Sequence, residues 1–233
     1  MHGGLIIWLA LIAVAGCSGG GGTSTTSTTT TLRSTTTSAI PNPFLDVVEG
    51  PSNFSAGDVV DVVGVSLDNQ AWVGSFPADD VAFFGGLWEV DRLNAELIAT
   101  GEAASYLGGP VWEKVGREGR EPGHFLQENT GVISRTDDVT NQAADLVGES
   151  VDGLITTAAE SFGVADGLQP IQITQRGFGG REVFYDLIGG ADPLSRGYRL
   201  RIVVAEQGAT FVPLLLERSI ICVHSVNESG DCA

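Results

Sequence analysis

The chain has 233 residues, 42% of them apolar, and a formal net charge of −17. That balance argues against nucleic acid, whose phosphates require clustered Lys and Arg, and against nonspecific adhesion to anionic lipid or teichoic polymers. The apolar share and the 32 glycines suit a folded, loop-rich, mostly β protein.

The first element is the apolar run Leu5 to Ala15, followed by Gly16 and Cys17. As a helix it would be roughly 16 Å long. A hydrocarbon core of about 30 Å needs around 20 residues, so the run is too short to span. It matches the apolar region of a signal peptide, with Ala15 and Gly16 small enough for a peptidase cleft. The leading residues Met1 to Gly4 carry no Lys or Arg, which a secretory signal ordinarily has. The tetrad Val14-Ala15-Gly16-Cys17 is the pattern of a lipoprotein signal. The expectation is a signal over residues 1–16, with Cys17 as the lipidated first residue of the mature chain. The alternative is an ordinary secretory signal with an incidental cysteine. Residues 18–38 are almost entirely Gly, Ser and Thr, interrupted by Leu32 and Arg33. Such a stretch cannot bury enough apolar surface to offset its ordering entropy. With Cys17 and the closing Ile40-Pro41-Asn42-Pro43 it forms a flexible linker over residues 17–43. The root-mean-square span of its Gly/Ser/Thr stretch is about 25 Å, and its threonines are potential sugar acceptors. These features place the folded part outside the membrane, held by lipid.

About 195 residues follow from Ala39, enough for one large or two small domains. Strand-like runs begin at Val59-Val60-Asp61-Val62-Val63-Gly64-Val65. They continue at residues 96–100, 111–115 and 123–126, the last running on through 130–133; β-branched residues dominate these runs. Gly108-Gly109-Pro110 and residues 116–123 supply turn chemistry between them. Five or so short strands in about 75 residues predict a small barrel.

This first part resembles the bacterial SH3-like domains of exported proteins. The residues that carry the resemblance are Gly57-Asp58-Val59-Val60 with Val63-Gly64-Val65, then Leu97-Ile98-Ala99-Thr100-Gly101-Glu102. Val111-Trp112-Glu113-Lys114-Val115 and Gly123-His124-Phe125-Leu126 complete it. The resemblance covers residues 57–133 and implies a divergent SH3-like barrel. Family members carry an Arg-containing segment after the first strand, near where they often bind wall peptides. Here that segment is Gln70-Ala71-Trp72-Val73-Gly74-Ser75-Phe76-Pro77-Ala78-Asp79-Asp80, without the Arg, and position 124 is His rather than Trp.

An α+β module over residues 136–233 is expected next. Asp137 and Asp138 can cap a helix starting near Val139. Val151, Leu154, Ile155, Ala158, Ala159 and Phe162 recur at helical spacing and predict a second helix, with Gly163 as its stop. The helix pair would pack on an antiparallel meander of residues 171–175, 182–188, 197–205 and 210–223. In the third strand Tyr198, Leu200, Ile202 and Val204 alternate with Arg199, Arg201 and Val203, which predicts one face in and one out. Residues 211–216 are uniformly apolar, as in a central strand, whereas Pro213 favours an edge or a bulge. The tail from Tyr198 is similar to C-terminal modules of actinobacterial lipoproteins, a resemblance that names no activity.

With Cys17 given to lipid, Cys222 and Cys232 remain, and in an exported chain they are expected to pair. The alternative is Cys222 as a nucleophile beside His224. The histidines are His2, His124 and His224, and no zinc-ligand spacing, Gly-x-Ser-x-Gly elbow or phosphate loop is present. No metal or cofactor is therefore expected. Gly177-Phe178-Gly179-Gly180 reads as a hairpin loop. Asp79-Asp80 and Asp137-Asp138 read as a solvated loop and a helix cap. Wall hydrolases that carry an SH3-like domain usually pair it with a catalytic domain holding Cys and His. A Cys222–Cys232 bridge leaves no thiol for that role, so no enzymatic activity is expected.

The aromatic residues Trp72, Phe76, Phe83, Phe84 and Trp88 crowd one stretch. Trp72, Phe76 and Trp88, with His124, are the candidate ligand-binding residues; packing into the barrel is the alternative for the aromatics. The resulting expectation is a binding or scaffold protein tethered to the membrane by its lipid. Its ligand would be a peptidoglycan peptide or an envelope protein. A carboxylate-dependent envelope hydrolase and a purely structural subunit of an envelope complex are the alternatives.

Overall fold

The computed structural model describes residues 46–78 and 86–233. Cys17, the signal, the linker and the pair Phe83-Phe84 lie outside the described residues. The strands, in chain order, are β1 (Val47–Gly50), β2 (Val59–Val62), β3 (Trp72–Gly74), β4 (Gly86–Glu89), β5 (Leu97–Tyr106), β6 (Val111–Arg117), β7 (Arg120–Leu126) and β8 (Thr130–Asp138). After the helix α1 (Val151–Ala165) come β9 (Gln169–Arg176), β10 (Glu182–Ile188), β11 (Ser195–Gln207) and β12 (Thr210–Cys222).

All pairings of these strands are antiparallel, and they form one path: β4-β3-β7-β6-β5-β2-β8-β12-β11-β10-β9, with β1 added beside β5. The fold is mostly β, and the path does not close on itself among the described residues. The joint is β2. Its Val59 and Val60 pair with Ile98 and Leu97 of β5, while Asp61 and Val62 pair with Gly131 and Thr130 of β8. β8 then pairs with β12, so the strands read from residues 57–133 and from 136–233 share one hydrogen-bonded network.

Two apolar cores flank this joint. Phe54, Val60, Val62, Val73, Trp88, Leu97, Val115 and Phe125 fill the first. Leu154, Ile155, Ala158 and Ala159 of α1 meet Leu187, Leu200, Ile202 and Leu216 in the second. The predicted helical face is thus buried, with Val151 and Phe162 packed at its margin. Two details of the helical region differ from the sequence reading. The helix expected at Val139 is a 3-10 turn, Thr140–Ala143, leaving α1 as the single α-helix among the described residues. Asp138 accepts the Thr140 backbone N–H at 2.9 Å and its hydroxyl at 2.6 Å, but the N-cap position is Val139, which has no side-chain cap. The chain then leaves the turn for Gly148, whose N–H and carbonyl both bond Phe211. Val139 N–H donates to the Leu216 carbonyl, and the Thr140 hydroxyl accepts from Leu216 N–H. Gly163 is also not the stop: α1 runs to Ala165, and Leu168 N–H closes back on the Gly163 carbonyl at 2.8 Å across Gly167.

For residues 211–216 the edge or bulge reading holds, and the central position belongs only to the half that follows. From Glu217 to Cys222, β12 is central, between β8 and β11. Around Pro213 only β11 pairs with it, and the register shifts where Val204 opposes Pro213 and Val203 opposes Leu215. The missing proline N–H falls in that irregularity.

Candidate functional site

The site is built on the stretch that departs from the SH3-like pattern. Arg92 organises it. Its guanidinium donates to the carbonyls of Ser66 and Leu67, both at 2.6 Å, and to that of Asn69. Three carbonyls on one cation fold residues 66–70 into a wall. β3 continues from that wall, with Trp72 half-buried and its indole N–H donating to Gln70 Oε1 at 3.2 Å. A groove of about 370 Å³ opens there. Trp72 and Leu126 give it apolar surface over the buried Trp112; Asn69, Gln70 and Asn129 supply amides. Trp112 opposes Leu126 across β6 and β7, so both belong to one face of the sheet.

The other candidate aromatics are placed differently. Phe76 is buried and packs edge-on against Tyr106 with ring centroids 4.9 Å apart. Trp88 is buried in the first core, its indole N–H donating to the Glu121 carbonyl at 3.3 Å. Trp72 alone of the three offers surface to a ligand. No known family, curated protein or solved structure matches this chain. The geometry of these residues is therefore what the functional reading has to rest on.

His124 lies two residues before Leu126 on β7 and lines a separate cavity. Burial pushes its pKa below the ordinary 6.5; the Lys114 ammonium adds to this and Glu102 partly offsets it. An unfolded His124 takes a proton near pH 6.5, whereas the folded one stays neutral to lower pH. The unfolded state then binds more protons, so stability from this group is complete above pH 6.5 and declines as pH falls below it. His124→Gln is expected to flatten the pH dependence of the urea midpoint below pH 6.5. An unchanged slope would assign that dependence to another group.

A second polar cluster sits at the β2–β8 joint. Asp186 of β10 is fully buried. It pairs with the buried Arg199 of β11 through Nε at 2.8 Å and Nη2 at 3.1 Å. Asp186 Oδ2 also accepts the Gly64 N–H at 2.8 Å, and Arg199 Nη2 donates to the Val62 carbonyl at 2.8 Å. Asp61 lines the adjoining cavity of about 230 Å³ with Glu217, Thr136 and Ser219. Burial raises the Asp61 pKa, and Arg199 pulls it back. Arg201 bridges Glu182 and Glu217 at 2.8 and 2.9 Å. Asp186, Glu182 and Glu217 thus each have an arginine partner, the pattern of a structural joint. Glu113 is a further buried carboxylate, held by the Ser52 hydroxyl, the Asn53 N–H and the Gln127 amide at 2.5–2.8 Å. Single-residue patterns gave no warning of these pairs.

Cys222 and Cys232 form a disulfide, with Cα atoms 5.2 Å apart. Cys222 is fully buried, so the nucleophile alternative falls away, and His224 Nδ1 instead lies 3.1 Å from the Asn53 carbonyl. Closing a loop of 10 residues contributes about 2–3 kcal/mol in the chain-entropy account. The Cys222→Ala/Cys232→Ala double variant is expected to lose that amount in urea denaturation. No cluster of three His, Cys, Asp or Glu suited to a metal occurs among the described residues, and no described helix is long and apolar enough to cross a membrane.

Proposed function

We propose that this chain is a lipid-anchored, extracytoplasmic binding protein that holds a cell-wall peptide or a segment of an envelope protein in the Trp72 groove. The observation that carries the reading is the groove itself, an apolar face of Trp72 and Leu126 over the buried Trp112, edged by three amides. Apolar surface with a few placed polar groups is the general composition of ligand sites. The Cys17 signal pattern and the Gly/Ser/Thr linker supply the tether, and the disulfide suits an oxidising compartment. The SH3-like reading of residues 57–133 rests on the order of its motifs; β2 and β5–β7 pack around one core, which supports it. The role is binding rather than catalysis, a reading supported by the arginine partners of Asp186, Glu182 and Glu217 at the β2–β8 joint.

The test is retention on purified peptidoglycan. The wild-type chain is expected to be retained, and Trp72→Ala to weaken retention about tenfold, as for an aromatic anchor at a binding surface. No retention of either chain would end the wall-ligand reading. Equal retention of both would move the site away from Trp72.

A further inference from the structure

The chain contains a single lysine, Lys114. It lines a cavity of about 360 Å³ on the outer face of β1, β5, β6 and β7. That volume is within the roughly 300–1,000 Å³ of small-molecule sites. Gly50, Gly101, Ala103 and Ala104 have little or no side chain and leave the space open, while Glu49, Glu102, Lys114 and His124 bring charge and polarity to it. The Lys114 ammonium donates to Glu102 Oε2 at 2.6 Å, and both side chains remain substantially exposed. An ammonium has three donors, so two are left for a ligand. The Glu49 carboxylate has no hydrogen bond or ion pair among the described residues, while its backbone pairs with Ala104 in the β1–β5 ladder. His124 Nδ1 is shut away from solvent, so that ring can meet a ligand's polar group only through Nε2.

We propose that this cavity binds a small zwitterion, a free amino acid or dipeptide, with its carboxylate on Lys114 and its ammonium on Glu49. A simple anion meets two carboxylates there, and a simple cation meets the lysine. A molecule carrying both charges satisfies both walls, the free donors of Lys114 and the carboxylate of Glu49, through charge-assisted hydrogen bonds, which are the strong ones. His124 adds a neutral hydrogen-bonding edge rather than a further charge.

The site is separate from the Trp72 groove and does not depend on the wall-ligand reading. Calorimetric titration of the full chain with alanyl-alanine, its N-acetyl form and its C-terminal amide tests it. The free dipeptide is expected to bind, and either block to weaken binding about tenfold or more, the loss of one hydrogen bond to a charged group. Lys114→Met should erase the preference for the free carboxylate, and Glu49→Gln the preference for the free ammonium. No binding of the free dipeptide up to its solubility limit would overturn the proposal. So would equal binding of the blocked forms, or unchanged preferences in both cavity variants.

Discussion

Asp186→Ala is expected to lower the unfolding free energy by about 3–5 kcal/mol, the usual effect of removing one partner of a buried ion pair. The reason is what remains behind. Arg199 is 6% exposed and would keep its charge with one backbone bond, to Val62. The Gly64 N–H would lose its acceptor as well. Asp61, half-buried beside the same guanidinium, offers partial compensation, and its raised pKa should fall in the variant as it becomes the principal counter-charge. Urea denaturation is the measurement, with a midpoint shift of roughly 2 M for a domain of this size. Replacing both partners by leucine should recover part of the loss, because the apolar pair leaves no unpaired charge. A single-variant loss below about 1 kcal/mol would show that water or Asp61 fully solvates Arg199.

Gly197→Ala is expected to have an effect of similar or greater size, about 4 kcal/mol or more, or to prevent folding. Gly197 lies in β11 at φ +133°, a backbone region that side chains rarely enter. It pairs with Ile188 of β10 on one side and Ile221 of β12 on the other. An added Cβ would collide with the backbone carbonyl oxygen of Leu187. Neither neighbouring strand can give way without breaking its own ladder. Far-ultraviolet circular dichroism and urea denaturation read the outcome. A folded variant within about 1 kcal/mol of the parent would contradict the argument.

Local pattern made much of the fold legible. The stretch 182–188 is a strand over that whole range, and residues 210–223 and 111–115 lie within one residue or two of β12 and β6. The helical face at Val151 to Phe162 is the one that packs. These elements carry their signal in neighbouring residues. The short strands β1, β3 and β4, of three or four residues, do not. β1 is held by the longer β5, whereas β3 and β4 pair with each other and reach β7 through Gly74 alone. The helix expected at Val139 is a 3-10 turn, after which Gly148 pairs with Phe211 of β12.

The candidate site was legible only in part. Trp72 and His124 stood out as residue types at an atypical stretch, and the structure gives each a cavity. Phe76 and Trp88 stood out equally and are buried, because sequence cannot show which aromatic a core takes first. Arg92 is an ordinary surface cation until three carbonyls from residues 66, 67 and 69 arrive at it.

Arg199 marks the boundary between the two kinds of information. Alternation in β11 places Leu200, Ile202 and Val204 on one face and Arg199 on the other, and the structure agrees. Period two distinguishes faces, but it carries no information about what covers the second one. At Arg199 that cover is the Val62–Gly64 stretch of a distant strand and its continuation, so the outward arginine becomes a buried one with a carboxylate partner. The acidity is a property of the whole composition and the strand periods are properties of short windows, and both are read from sequence alone. The groove, the lysine cavity and the buried ion pair join residues up to 137 positions apart. Such joins depend on which surfaces meet after chain closure, and only the tertiary structure decides that.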